Sequence, residues 1–353
     1  MKKIIAIFIL MTLLLSALFS CKEKNTDAAV FYYSYDDTYV SDLRMELESE
    51  LKDAKLSYKN YNAKGNQKTQ NEQIDKAISK GVSALIVNIV ETGNDEAAKS
   101  IVEKAKAADI PLVFFNRPVS KDVVKSYDKC VMVGTDYEMA GHMQGEMIGN
   151  FVANNFSEID INGDGVISYC LFKGENNNAV AEARTKYAIE DANKILAANK
   201  LPALSFYDAT NYDGFIINME APWSKSSAKE YMKSILEGFN EEKGNMVELI
   251  IANNDDMAVG AILSLVANSY NVKGGKFIPV FGIDATDEAL EMIEDGIMTG
   301  TVQQDAEDMA QTISAVCVNL ISGNDIFSGI DKNIVSDGWK INLPYTTYIK
   351  EKK

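Results

Sequence analysis

Short apolar runs recur along the chain with amphipathic stretches between most of them. The first series reads AVFYYSY, LSYKNYN, ALIVNIV, PLVFFN and CVMVG; the second reads VISYCLFKG, ALSFYDA, ELIIANN, IPVFGID and MTGTVQQ. The runs are strand-length and rich in β-branched and aromatic residues. The stretches between them carry apolar residues at helical spacing. Strand–helix–strand alternation builds parallel sheets covered by helices on both faces. Two such series predict two similar α/β domains.

Polar residues punctuate these runs in a regular way. Asp37, Asn116, Asp136, Asn254 and Asp284 each follow an apolar run. They are therefore expected at the carboxyl ends of parallel strands, the edge where open α/β sheets bind ligands. Taken singly, each reads better as a helix N-cap, a common use of Asn and Asp there. Taken together they predict a ligand cleft.

The chain begins outside this pattern. MKKIIAIFILMTLLLSALFSC has two lysines, an apolar run and small residues before Cys21, which reads as a signal peptide over residues 1–20. The run is too short, and too soon followed by KEKNTDAA, for a permanent membrane span. LFSC resembles a bacterial lipobox, with Phe19 bulkier than usual. The resemblance implies cleavage before Cys21, lipid on its sulfur and a tether over residues 21–27; the alternative is an ordinary secretory signal. Cleavage removes Lys2 and Lys3 and takes the formal charge from −16 to −18.

That acidity argues against a nucleic-acid partner and otherwise describes a soluble surface. Cys130, Cys170 and Cys317 are too few and too widely spaced for a disulfide framework, and each sits in an apolar stretch as a core residue would. With His142 the sole histidine, neither a histidine-based triad nor a multi-histidine zinc site can be assembled. There is no GxGxxG after a strand, no P-loop, no HExxH and no GxSxG. No enzyme is expected.

One motif does carry metal chemistry. DINGDGVIS places oxygen-bearing side chains at Asp160, Asn162, Asp164 and Ser168, with Gly165 at the sixth position and the Val166 carbonyl at the seventh. This is the opening of an EF-hand calcium loop. Its twelfth position should be a bidentate Glu but is Leu171, inside a strand-like run. On the motif alone, the loop either takes a carboxylate from elsewhere or is an Asn/Asp/Gly-rich turn that binds nothing.

Nine blocks in order carry a wider resemblance: YSYDDTYVSDLR, KGVSALIVNIV, PLVFFNRP, SYDKCVMVGTD, DINGDGVIS, AEARTKYAI, IIANNDDMAVGA, IPVFGIDATDEAL and GTVQQDA. From about residue 28 to 350 the chain resembles the periplasmic galactose/glucose-binding proteins, of the type I periplasmic-binding-protein fold. The resemblance implies two doubly wound parallel-sheet lobes joined by three crossing strands near Asp136, Asp305 and Leu343. The N-terminal lobe would comprise residues 28–136 and 306–342, and the C-terminal lobe 137–305 and 343–353.

The resemblance also supplies the missing carboxylate. The matching residue is Glu248 in VELIIANN, which would complete a Ca2+ site with Asp160, Asn162, Asp164, Val166 and Ser168. The family usually has Gln where this chain has Ser168, a shorter ligand.

For a sugar, the resemblance implies stacking by Tyr39 and Trp223, and hydroxyl binding by Asp37, Asn116, Arg184, Asn254 and Asp284. Three positions depart from the family: Asn178 stands where His is common, Val180 where Asp is found, and Gln304 where Asn is found. Asn178 and Gln304 remain candidate ligands; Val180 has no acceptor to offer. NYDGFIINME, before Trp223, is longer than the family's connection.

The function implied is an extracytoplasmic lipoprotein, expected to be monomeric and held to the membrane only through lipid at Cys21. It would bind glucose or galactose between its lobes and deliver it to an ABC permease. Another monosaccharide or a glycoside is the alternative ligand, and a chemoreceptor a further partner. Rival readings are a transcriptional regulator, which would need a helix-turn-helix where residues 1–27 hold a leader; a calcium-dependent glycosidase using Asp37 and Asp284; and a lipoprotein without a ligand.

Overall fold

The computed structural model describes residues 26–350; the leader and Cys21 lie outside the described residues. Strands and helices alternate through β1 (Ala28–Tyr32), α1 (Thr38–Asp53), β2 (Tyr58–Asn62), α2 (Gln67–Ser79), β3 (Ala84–Val87), α3 (Glu96–Ala107), β4 (Leu112–Phe115), α4 (Lys121–Lys125) and β5 (Cys130–Thr135). The long α5 (Tyr137–Ile159) opens a second series of β6 (Ser168–Phe172), α6 (Ala179–Ala198), β7 (Ser205–Phe206), α7 (Lys225–Gly238), β8 (Leu249–Ala252), α8 (Asp255–Ala267), β9 (Val280–Asp284), α9 (Asp287–Glu294) and β10 (Gly300–Gln304). Then come α10 (Ala306–Ser322), β11 (Val335–Ser336), β12 (Lys340–Leu343) and β13 (Tyr345–Ile349).

These strands form two sheets, ordered β11-β12-β5-β4-β3-β1-β2 and β13-β10-β9-β8-β6-β7. Only β11 and β13 run antiparallel to their neighbours. The inner strands β1, β3, β4 and β5 are buried along their whole length, as continuous apolar runs in a sheet covered on both faces require. The edge strand β2, YKNYN, is half-buried and polar.

Each sheet has a core on either face. In the first lobe, Leu43 and Leu47 of α1 and Ile313 and Val316 of α10 pack with Val30 and Val133. Ile74 of α2 and Ile101 of α3 pack with Phe31 and Phe114 on the other side. In the second lobe, Met232 of α7 and Ile262 of α8 cover Ile250, while Ile148 of α5 and Leu196 of α6 cover Leu171 and Phe281. Burying each such side chain is worth about 1.5–3 kcal/mol, so each lobe carries its own stabilising core. Cys130, Cys170 and Cys317 are free thiols inside these cores. No helix among the described residues is long and apolar enough to cross a membrane.

The chain leaves the first sheet at Thr135, returns to that lobe with α10, and passes again to the second sheet between Leu343 and Tyr345. In parallel register, Leu343 lies beside Thr135, so two of the passages start side by side.

Small residues set the position of α6. Gly141 and Gly145 of α5 face its backbone: a Cβ on Gly145 would stand 2.5 Å from the Tyr187 carbonyl oxygen, and one on Gly141 2.6 Å from that of Ala183. The two helices therefore pack at close range, which places Arg184 of α6 at the edge between the sheets.

Candidate ligand-binding cleft

The carboxyl ends of the two sheets face one small cavity. The first lobe contributes Tyr33, Asp37, Tyr39, Asn116, Arg117 and Thr135; the second contributes Asn178, Val180, Arg184, Trp223, Asn254, Asp284, Gln304 and Tyr345. All nine residues expected to touch a ligand line it. Asp136 does not; it is exposed at the crossing after β5, because the chain turns into α5 there. The cleft predicted from five strand ends thus uses four of them.

Capping and lining are the same act at three positions. Asp37 Oδ1 accepts from Val40 N at 2.9 Å at the start of α1. Asn254 Oδ1 accepts from Met257 N at 3.0 Å at the start of α8. Asn178 Oδ1 accepts from Val180 N at 2.9 Å at the start of α6. The N-cap bond fixes each side chain, and the positive end of each helix dipole points toward the cavity. Asn178 also donates through Nδ2 to Glu175 at 2.9 Å, which leaves one N–H of its amide for a ligand.

The polar floor comes from the second lobe. Arg184 is buried, donates through Nη1 to the Asn253 carbonyl at 2.6 Å and through Nη2 to Gln304 Oε1 at 3.2 Å, and lies 3.6 Å from Asp284 Oδ1. Its Nε is buried without a hydrogen-bond partner. Burial pushes the Asp284 carboxyl well above the ordinary range and outweighs the Arg184 charge beside it. Asp284 and Ala285 take φ of 125° and 61°, and Asn116 and Trp223 take 59° and 60°. Backbone strain thus gathers around the cavity, where the surrounding packing holds it.

Trp223 supplies the flat wall. Its ring lies on the backbone of Gly174, where a Cβ would be 2.2 Å from the indole, so KGENNN needs its glycine there. Trp223 Nε1 donates to Glu175 Oε2 at 3.3 Å, and the Arg184 guanidinium is 6.0 Å from the ring centroid. Tyr39 is buried and its hydroxyl approaches Met309 Sδ at 3.7 Å.

Sequence reasoning passed over Tyr33, Arg117, Thr135, Tyr345 and Glu175. Tyr33 OH donates to Asp37 Oδ2 at 2.5 Å. Tyr345 OH donates to Gln304 Oε1 at 3.1 Å and shares a 2.7 Å hydrogen bond with Thr135 Oγ1. The signal for Arg117 was its place directly after Asn116 at a strand end. Tyr345 gave none, because Thr135 and Gln304 are distant in sequence, and Glu175 gave none because Arg117 and Trp223 are, its one near partner being Asn178.

The DINGDGVIS loop joins α5 to β6, and Glu248 reaches it from the start of β8. Glu248 is buried; Oε1 accepts from Ile161 N at 2.7 Å and Asn162 N at 3.1 Å, and Oε2 from Ser168 N at 3.1 Å. Burial raises its pKa against those three backbone donors, and the Asp160 charge adds to the rise. Asp160 Oδ2 accepts from Gly165 N at 3.0 Å, whereas its Oδ1 is buried without a partner. Asp164 instead turns within the loop, to Val166 N and the Asn162 amide. Among the described residues no three acidic, histidine or cysteine side chains stand close enough to form a metal cluster. An all-oxygen donor set and one orphaned carboxylate oxygen are what a hard cation fits.

Residues 28–325 match the family model described as periplasmic binding protein domain. This chain belongs to the periplasmic binding protein family. It is 35% identical over 304 residues, 85% of its length and 83% of the relative's, to the D-galactose/methyl-galactoside binding periplasmic protein MglB of Haemophilus influenzae. It resembles in fold an ABC transporter solute binding protein of Clostridium phytofermentans with bound β-D-glucose, at 18% identity and TM-score 0.70, covering 91% of this chain and 93% of that one. A solute binding protein of Bacillus halodurans with bound myo-inositol gives 22% identity and TM-score 0.68, over 93% and 96%. As a periplasmic binding protein, this chain is a solute-binding component of transport and not an enzyme.

Proposed function

We propose that this protein binds a hexose, glucose or galactose, between its lobes and hands it to an ABC importer. The observation that carries the reading is the convergence of both lobes on one cavity that holds a buried Asp284–Arg184 pair and a Trp223 wall. A hexose offers a ring of hydroxyls and two C–H faces. Carboxylates and a guanidinium bind the hydroxyls through charge-assisted hydrogen bonds, and the indole covers a face. The galactose/methyl-galactoside protein supports the choice of hexose, since it is matched over most of both chains.

Calorimetric titration with glucose, galactose and other monosaccharides tests the reading. Asp284→Ala should weaken the preferred sugar by about 1.5–3 kcal/mol per charge-assisted bond lost. An unchanged affinity would put the site elsewhere.

Val180 favours a second reading. It lines the cavity on the first turn of α6, where a carboxylate would grip a hydroxyl. An apolar side chain there admits a substituent in place of that hydroxyl, so glycosides belong among the ligands. Val180→Asp should tighten glucose and weaken a methyl glycoside. Loss of both would remove Val180 from the sugar's surroundings.

The same proposal gives the DINGDGVIS loop a structural Ca2+, held by Asp160, Asn162, Asp164, Ser168, Glu248 and the Val166 carbonyl. It also places the protein on the periplasmic side of the envelope, anchored by lipid at Cys21. Metal analysis of protein purified in calcium tests the first part. Mass spectrometry of the mature N-terminus tests the second.

A further inference from the structure

Among the described residues, side-chain hydrogen bonds on either side of the cavity floor join the lobes directly. On one side, Arg117 Nη2 meets the Glu175 carboxylate at 2.9 and 3.2 Å. On the other, Thr38 Oγ1 donates to the Asp256 carboxylate, 2.8 and 2.7 Å from its two oxygens. Arg117 and Thr38 belong to the first lobe, Glu175 and Asp256 to the second.

Both halves of the Arg117–Glu175 pair are prepared within their own lobes. Arg117 lies 4.3 Å from the Tyr33 ring centroid, and the same Nη2 donates to the Val90 carbonyl at 2.8 Å. Glu175 is held by Asn178 Nδ2 and Trp223 Nε1. Neither side chain has to be ordered when the lobes meet, so little conformational entropy is lost. The pair is also largely shielded, with side-chain exposures of 7% for Arg117 and 28% for Glu175, where a charge pair is stronger than on an open surface.

We propose that Arg117–Glu175 and Thr38–Asp256 form a two-point clasp that holds the lobes closed, with Glu175 as a positioning residue that ties closure to the orientation of Trp223. One carboxylate oxygen, Glu175 Oε2, takes Arg117, Asn178 and Trp223 together. The indole is thus fixed in its wall position by the same group that registers the arrival of the other lobe. The inference rests on reading the cleft as the ligand site, and it makes the clasp a determinant of release rate.

The test is stopped-flow release of the best-bound hexose from Glu175→Gln, Arg117→Met, their double variant and Asp256→Ala, with tryptophan fluorescence as the readout. Each single variant should release sugar about tenfold faster or more, with association changed far less. The Arg117 and Glu175 effects should be strongly non-additive, and Arg117→Lys should restore part of the slow release. Additive effects, or release at the wild-type rate, would overturn the clasp. Circular dichroism melts exclude variants that fail to fold, and Arg117→Lys keeps the comparison alive if Arg117→Met is one of them. X-ray scattering of the ligand-free proteins separates this idea from the ligand reading. If no monosaccharide binds the wild type, a larger radius of gyration in Arg117→Met and Asp256→Ala still supports the clasp. Identical radii in all forms, again without any sugar bound, overturn it.

Discussion

At the scale of the residue, the cleft is a problem in keeping charge where water is scarce. Asp284 is buried beside Arg184, with the carboxylates of Asp255, Asp37 and Asp256 adding to the rise of its pKa. Sugar hydroxyls that donate to Asp284 favour its ionised form, so the bound pKa must fall below the free one. Affinity should then decrease as pH is lowered from neutrality, and calorimetry across pH should show proton release on binding. Asp255 gives a second, separate signature. It is fully buried, and burial pushes it up to about 6 from an ordinary 3.8, although Thr301 Oγ1 and Thr286 N donate to it at 2.7 and 2.9 Å. A carboxyl whose pKa is raised by folding binds its proton more tightly in the folded state. Its contribution to stability therefore falls as pH rises from about 4 to about 6, by about 3 kcal/mol at most. Urea unfolding of wild type and Asp255→Asn over that range should diverge in this direction. The Thr301 hydroxyl can rotate to accept from the new amide, so the variant should fold. A pH slope shared by both proteins would show that Asp255 titrates normally.

At the scale of the element, what the sequence disclosed depended on range. Parallel strands were readable as β-branched and aromatic runs, and with them Asn116 and Asp284 at their ends. Every strand-end residue allowed two readings, cap or ligand residue, and at Asp37 and Asn254 the structure gives both: each caps a helix and lines the cavity. Trp223 sits far past any strand of its own, and the contact that fixes it is a bare backbone at Gly174. Gly174→Ala should displace the indole and cost about 1–3 kcal/mol of stability, as overpacking does, with loss of ligand affinity beside it. Normal binding by that variant would mean the ring is not the wall. The DINGDGVIS loop is the clearest case of a motif broken by its element: β6 occupies the place of an exiting helix, so Leu171 faces a core, and the carboxylate that meets the loop is that of Glu248, just before β8. Chelation should lower the melting temperature, and Glu248→Gln should weaken calcium binding, because the amide nitrogen would point a donor at backbone N–H groups or at the cation. Equal melting with and without chelator would leave the loop held by its own hydrogen bonds.

At the scale of the whole molecule, the chain is two cores with a polar seam. The clusters around Val30 and Phe31 belong to one lobe and those around Ile250 and Leu171 to the other. No local pattern could reveal that α10, which follows β10, packs on α1 more than 250 residues earlier; only the resemblance supplied that return. The arrangement assigns each ligand its own thermal signature. The DINGDGVIS loop and Glu248 lie wholly in the second lobe, whereas the cavity draws on both. A ligand stabilises whatever must stay folded to bind it, by about 2.7 kcal/mol at a hundred times its dissociation constant. In scanning calorimetry, calcium removal should therefore lower only the transition of the second lobe and split the endotherm if the lobes melt together in calcium. A bound hexose should raise the melting of both lobes and draw their transitions together. If sugar shifted one transition and left the other in place, the ligand would have to lie within a single lobe, and the cavity between the sheets would lose its claim to hold it.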